Sequence, residues 1–199
     1  RKQFYLAVLL VLGVFLAKAG KPVKLLSPDK SNEIVFQLKP EGLFYSIKNN
    51  KKLIIDNSLF AVYPDEGNWM QACLSMKPVK KQSVNETYQL PFGKRSTYIN
   101  HYNELWLEII NAKNEKAIIE LRAYDDGTAF RFVLKRPGDI KVNKEQTQFN
   151  IGTDKTVYVQ KWDKAYEGFY DARRLDTINK QQVFLFPALV KANEQTWCL

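Results

Sequence analysis

The sequence predicts an all-β protein, a large antiparallel β-sandwich, and three observations carry that expectation. Apolar and polar residues alternate in short runs along most of the 199-residue chain. Turn-forming residues punctuate those runs at the spacing of hairpins and meanders. Beyond the N-terminal leader no segment sustains a helical period, so about ten short strands and no helix are expected.

Residues 1–19 stand apart. Arg1 and Lys2 precede thirteen mostly apolar residues, 4–16, and Ala17-Lys18-Ala19 leads into Gly20. The apolar run suits a signal-peptide core and falls short of the roughly 20 residues a membrane helix needs. The pattern is that of a secretory signal peptide cleaved after Ala19, with an uncleaved N-terminal anchor as the alternative. Residues 20–199 then form the sandwich domain, which is long enough to bury a substantial core.

The first strand signal, residues 33–38, places Ile34, Phe36 and Leu38 on one face, and residues 42–47 return after a Pro40-Glu41-Gly42 turn. Residues 53–55 and 59–63 read as two further runs separated by Asp56, Asn57 and Ser58. From 98 to 111 a long strand alternates Leu105, Leu107 and Ile109 against Trp106, Glu108 and Ile110, as in a central strand with one face fully buried. The clearest hairpin joins residues 117–124 to 128–134 through Asp125-Asp126-Gly127. Its second arm turns Phe130, Phe132 and Leu134 inward and leaves Arg131 in need of a partner or solvent. Residues 146–151, 156–160 and 183–186 complete the strand set. Between the last two, residues 162–174 (WDKAYEGFYDARR) break the alternation with aromatics and acids, as a functional loop or an aromatic-pinned surface loop would. The chain ends at Trp197-Cys198-Leu199 in mid-strand by pattern, so the sandwich is expected to be truncated there.

Charge and chemistry narrow the function. Without Arg1, Lys2 and Lys18, the 30 basic residues fall to 27 against 21 acidic ones, a net charge of +6. The lysines are scattered among acids rather than gathered in a stripe, which argues against a nucleic-acid partner. Cys73 and Cys198 lack metal-ligand or redox spacing, and either a disulfide or two free thiols fits an oxidising compartment. His101 is the single histidine, too few for a histidine metal site or an ordinary catalytic triad. The acidic pairs have structural explanations: Asp125-Asp126 and Asp65-Glu66 lie in turns, and Glu104 and Glu108 share one strand face. A glycosidase would instead need two carboxylates flanking the scissile bond. Calcium-loop, nucleotide-binding and G-x-S-x-G motifs are absent. These residues describe a secreted sandwich that binds or supports and does not itself catalyse.

Specific strings sharpen this. Ser27-Pro28-Asp29 leading into Glu33-Ile34-Val35-Phe36, then Leu43-Phe44-Tyr45-Ser46, Tyr102-Asn103-Glu104-Leu105, the run RAYDDGTAFR over 122–131, and Glu145-Gln146-Thr147-Gln148-Phe149 occur in an order and spacing that resemble the N-terminal domain of glycoside hydrolase family 97. The resemblance spans the chain after the leader. It implies a super-sandwich of the galactose-mutarotase-like kind, in a secreted or periplasmic bacterial enzyme acting on α-linked glucosides or galactosides. It also implies a (β/α)8 barrel elsewhere in that enzyme, holding the catalytic carboxylates, as this domain's partner, with an oligo- or polysaccharide as substrate. By resemblance again, Glu167 in Tyr166-Glu167-Gly168-Phe169-Tyr170 is a calcium ligand shared with glutamates of the barrel. Calcium takes about six to eight oxygens, so one carboxylate cannot hold it alone. Tyr166, Phe169 and Tyr170 are expected to pin the loop, with Asp163 and Asp171 as the alternative ligands. The rival reading is a free-standing carbohydrate-binding sandwich using exposed aromatics such as Trp69, Trp162 or Tyr170.

Overall fold

A computed structural model describes residues 20–64, 69, 73–134, 137–192 and 195–199; the leader and the Asp65-Glu66 pair lie outside them. The first sheet is a meander of β1 (Val23–Leu26), β2 (Asn32–Lys39), β3 (Gly42–Asn49) and β4 (Lys52–Phe60). The second is a meander of β6 (Cys73–Gln89), β7 (Thr97–Asn111), β8 (Lys116–Tyr124) and β9 (Gly127–Val133). Between them in sequence lies β5 (Val62–Pro64), which pairs with β10 (Val142–Glu145). A smaller sheet follows, built from β11 (Thr156–Lys161), β12 (Tyr170–Arg174), β13 (Phe184–Ala192) and β14 (Gln195–Cys198) in the order β12-β11-β13-β14. Every described pairing is antiparallel, as hairpin connections require.

The two larger sheets face each other across one core. Alternation in β2 buries Ile34, Phe36 and Leu38, and alternation in β7 buries Leu105, Leu107 and Ile109. Phe130 of β9 enters an aromatic nest supplied by the opposite sheet, with ring centroids 5.6 Å from Phe36, 4.9 Å from Tyr45 and 5.3 Å from Phe60. Edge-to-face contacts of this kind add roughly 0.5–1.5 kcal/mol per pair beyond area burial. The Asp125-Asp126 turn closes the expected hairpin, pairing Tyr124 with Gly127. Arg131 finds its partner in Glu120 across that hairpin.

Two expectations are corrected, and one strand was not expected. Asp56, Asn57 and Ser58 do not interrupt the chain: β4 runs through them as an irregularity in its pairing with β3. Asn57 takes φ 36°, its N–H donates to Ser46 Oγ at 3.0 Å, and the buried Ser58 hydroxyl accepts from Asn150 N–H at 2.8 Å. The turn formers thus satisfy backbone groups that a bulge leaves open. Residues 146–151 are not a regular strand, although Gln146 and Gln148 donate to the carbonyls of Ala61 and Leu59 at 2.8 Å each. The unexpected strand is β6, which has no apolar alternation to announce it. It is the outer strand of its sheet, mostly exposed, and Lys77, Lys80 and Lys81 lie along it, a composition that discourages edge-to-edge association.

Candidate functional site

The buried and half-buried carboxylates of the sandwich, and Asp29 beside them, are committed to structure. Glu104, 2% exposed, accepts from Arg122 Nε at 3.1 Å, Lys80 Nζ at 3.3 Å and Gln82 Nε2 at 2.7 Å. Burial alone would raise its pKa; the hydrogen bonds from Arg122 and Lys80 outweigh that and hold it below the ordinary range. Glu108 pairs with Lys77 and Lys116. Asp29 is held down at about 2 by the Ser27 hydroxyl first, then by the Ser31 N–H and hydroxyl. It shares a cleft of about 870 Å³ with Asp125, Asp126 and Trp197, but its Oδ1 is saturated by those serine donors. Among the described residues no three His, Cys, Asp or Glu side chains are placed to share a metal ion. Cys73 and Cys198 are free thiols, one half-buried and one exposed, and burial pushes Cys73 up to about 11.

Of the segment 162–174 that the sequence singles out, 162–169 form the loop and Tyr170–Arg174 form β12 along the edge of the small sheet. Asp163 builds a turn at the start of the loop. Its Oδ1 accepts from Ala165 N–H and its carbonyl from Tyr166 N–H, each at 3.3 Å. Asp171 pairs with Arg173 at 3.2 Å. Both alternative acids therefore have structural partners. Glu167 is exposed and forms no ion pair among the described residues. It follows Tyr166, whose φ of 58° lies in the left-handed region that non-glycine residues rarely adopt.

The aromatics do not pin this loop. Tyr166 is 70% exposed, Phe169 88% and Tyr170 45%, and Trp162 at 49% joins them. Val183, immediately before β13, and Phe186 on it are also exposed. Trp69, by contrast, is buried in the main core against Phe132 and is unavailable to a glycan. Sequence reasoning missed Phe186 and also Gln160, a buried amide on β11. A glutamine closing a strand of valines was the only available signal for the latter.

Comparison with known proteins decides the affiliation. The family model described as the glycosyl-hydrolase 97 N-terminal domain matches residues 25–199. This chain belongs to that family. A retaining alpha-galactosidase of Bacteroides thetaiotaomicron is 27% identical over 205 aligned positions, covering 97% of this chain and 30% of that protein. A family 97 glycoside hydrolase from Pseudoalteromonas sp. strain K8, solved in complex with acarbose, superposes with a TM-score of 0.75 at 24% identity, covering 86% of this chain and 27% of that one. A beta-arabinopyranosidase superposes equally well, at 0.75 and 22% identity, with 87% and 30% coverage. The family 97 N-terminal fold is thus shared, and the chain spans under a third of the length of these relatives. Its all-β sandwich architecture agrees with the sequence expectation.

Proposed function

We propose that this chain is the non-catalytic N-terminal domain of a secreted or periplasmic glycoside hydrolase acting on α-linked glucosides or galactosides, and that it supports a catalytic (β/α)8 barrel through the 162–170 loop. The observation that carries this reading is the exposure of Trp162, Tyr166, Phe169 and Tyr170 along one loop and the start of the edge strand β12, while the large core is filled by other residues. Apolar patches of this kind on soluble domains mark interaction sites. The coverage of the relatives supports a large remaining portion of the enzyme for the patch to meet. Residues 1–19 would serve as the export signal and be removed.

Glu167 is the one acid of this loop with a free carboxylate, which fits a ligand contributed to a shared calcium ion and does not suffice for a site. Barrel carboxylates and the substrate would supply the other oxygens. The bound ion would supply electrostatic stabilisation at the glycosidic oxygen. The chain's own part is to hold one carboxylate at a fixed position and to exclude water with the aromatics around it. In the complete enzyme, Glu167→Gln should weaken calcium binding and lower turnover, whereas unchanged metal dependence and kinetics would contradict the assignment.

The second reading, a glycan-binding module, keeps Trp162 and Tyr170 as candidate platforms because both are exposed. Retardation of the 199-residue chain in starch-containing native gels, abolished by Trp162→Ala, would favour it. Free migration is expected under the first reading.

A further inference from the structure

Gln160 is buried where a strand of this sheet should be wet. Val157 and Val159 of β11 point into the small core, and strand side chains alternate, so Gln160 faces the other way. It is nonetheless only 5% exposed. What lies against it is the loop that carries Glu167. A Cβ built on Gly168 would sit 3.0 Å from Gln160 Nε2 and 3.1 Å from its Cγ, tighter than most real contacts, so a larger residue there would push the amide aside by a few tenths of an ångström. Tyr170, two residues on, is Gln160's ladder partner, which ties both ends of the contact to the same strand pair.

The amide is not satisfied by this contact. Gln160 Nε2 is buried without a hydrogen-bond partner among the described residues, and a native structure rarely leaves a donor so. The orphan donor lies against the residue that follows Glu167, and the left-handed Tyr166 precedes it. Strained backbone such as that of Tyr166 clusters at functional sites, and a buried donor left unpaired beside it calls for a physical reason.

We infer that Gln160 is the positioning residue of the Glu167 loop, its buried amide N–H donating to the loop when Glu167 takes up its ligand position against the catalytic portion. This rests on the reading of Glu167 as a calcium ligand and adds the group that orients it. Outer partners of this sort typically contribute 10–100-fold to metal affinity.

The test pairs two measurements with opposite expected signs. In the complete enzyme, stripped of metal with a chelator and titrated with calcium in a calorimeter, Gln160→Leu should weaken calcium binding 10–100-fold. Gln160→Glu, which replaces the donor with a negative acceptor near Glu167, should do at least as much. In the 199-residue chain, Gln160→Leu should leave the melting temperature unchanged or raise it, because an unsatisfied buried donor is replaced by an apolar group of similar size. A purely structural amide would instead lower the melting temperature, and that result overturns the inference. Glu167→Gln serves as the reference in the same titration. Calcium affinity unchanged in Glu167→Gln overturns both readings. Affinity lost there but retained in Gln160→Leu overturns only the role of Gln160.

Discussion

The two larger sheets and the small C-terminal sheet are built from the same kind of strand but spend their apolar residues differently. In the sandwich, Phe36, Tyr45 and Phe60 from one sheet enclose Phe130 from the other, and seventeen buried residues among those described form a single cluster. The small sheet fully buries Val157, Val159 and Val190 and leaves Trp162, Phe169 and Phe186 in solvent. Ile151 and Leu199 pack against both clusters, and Phe149 meets Phe186 at 5.8 Å, so the small sheet is fastened to the sandwich at one side. The first region buries its aromatics within this chain, whereas the second keeps several of its own exposed, as the proposed docking against the rest of the enzyme requires.

The comparison is broken most severely by cutting into the aromatic nest. Phe36→Ala should destabilise the chain by about 3–5 kcal/mol, seen as a large drop in the urea midpoint. Next in size is Glu104→Gln, which deprives Arg122 and Lys80 of their shared carboxylate and should cost about 1–3 kcal/mol. The sign of the pH effect follows from the lowered pKa of Glu104. The stabilisation is complete above the ordinary glutamate value of 4.5 and is lost as pH falls through the lower folded-state value. Melting curves between pH 7 and 3 should therefore show a steeper acid loss in the parent than in Glu104→Gln. Smallest is Phe169→Ser, which removes an aromatic that packs against little within this chain and should shift stability by no more than about 0.5 kcal/mol. In the complete enzyme the same change should lower thermal stability clearly, and an equal, negligible effect in both would blunt the comparison.

How far the sequence was legible follows the same division. Residues 32–39 and 97–111 announced themselves because one face of each is buried in the sandwich, and a period of two is the imprint of that burial. Asp125 and Asp126 announced the hairpin because a two-residue turn needs particular backbone angles. β6 was silent: an outer strand wet on most of its length carries no hydrophobic pattern, and β7 supplies its ladder. Asp56-Asn57-Ser58 misled because the same residues serve a turn and a bulge. Tyr166, Phe169 and Tyr170 misled in a different way, since a sequence shows that an aromatic needs cover but not whether the cover lies in the same domain. Glu167 was reached through resemblance, and its freedom from local partners became visible only in three dimensions. Gln160 was illegible because its burial depends on a loop lying across it.

The central claim is that the 162–170 loop and the exposed part of β13 are covered by the catalytic portion of the enzyme. Amide hydrogen exchange on the 199-residue chain and on the complete enzyme, read by mass spectrometry, tests it most directly. The account expects peptides covering 162–170 and 183–189 to exchange markedly more slowly in the complete enzyme, while those from β2, β3, β7 and β8 are equally protected in both. Equal exchange across 162–170 in the two proteins would contradict it.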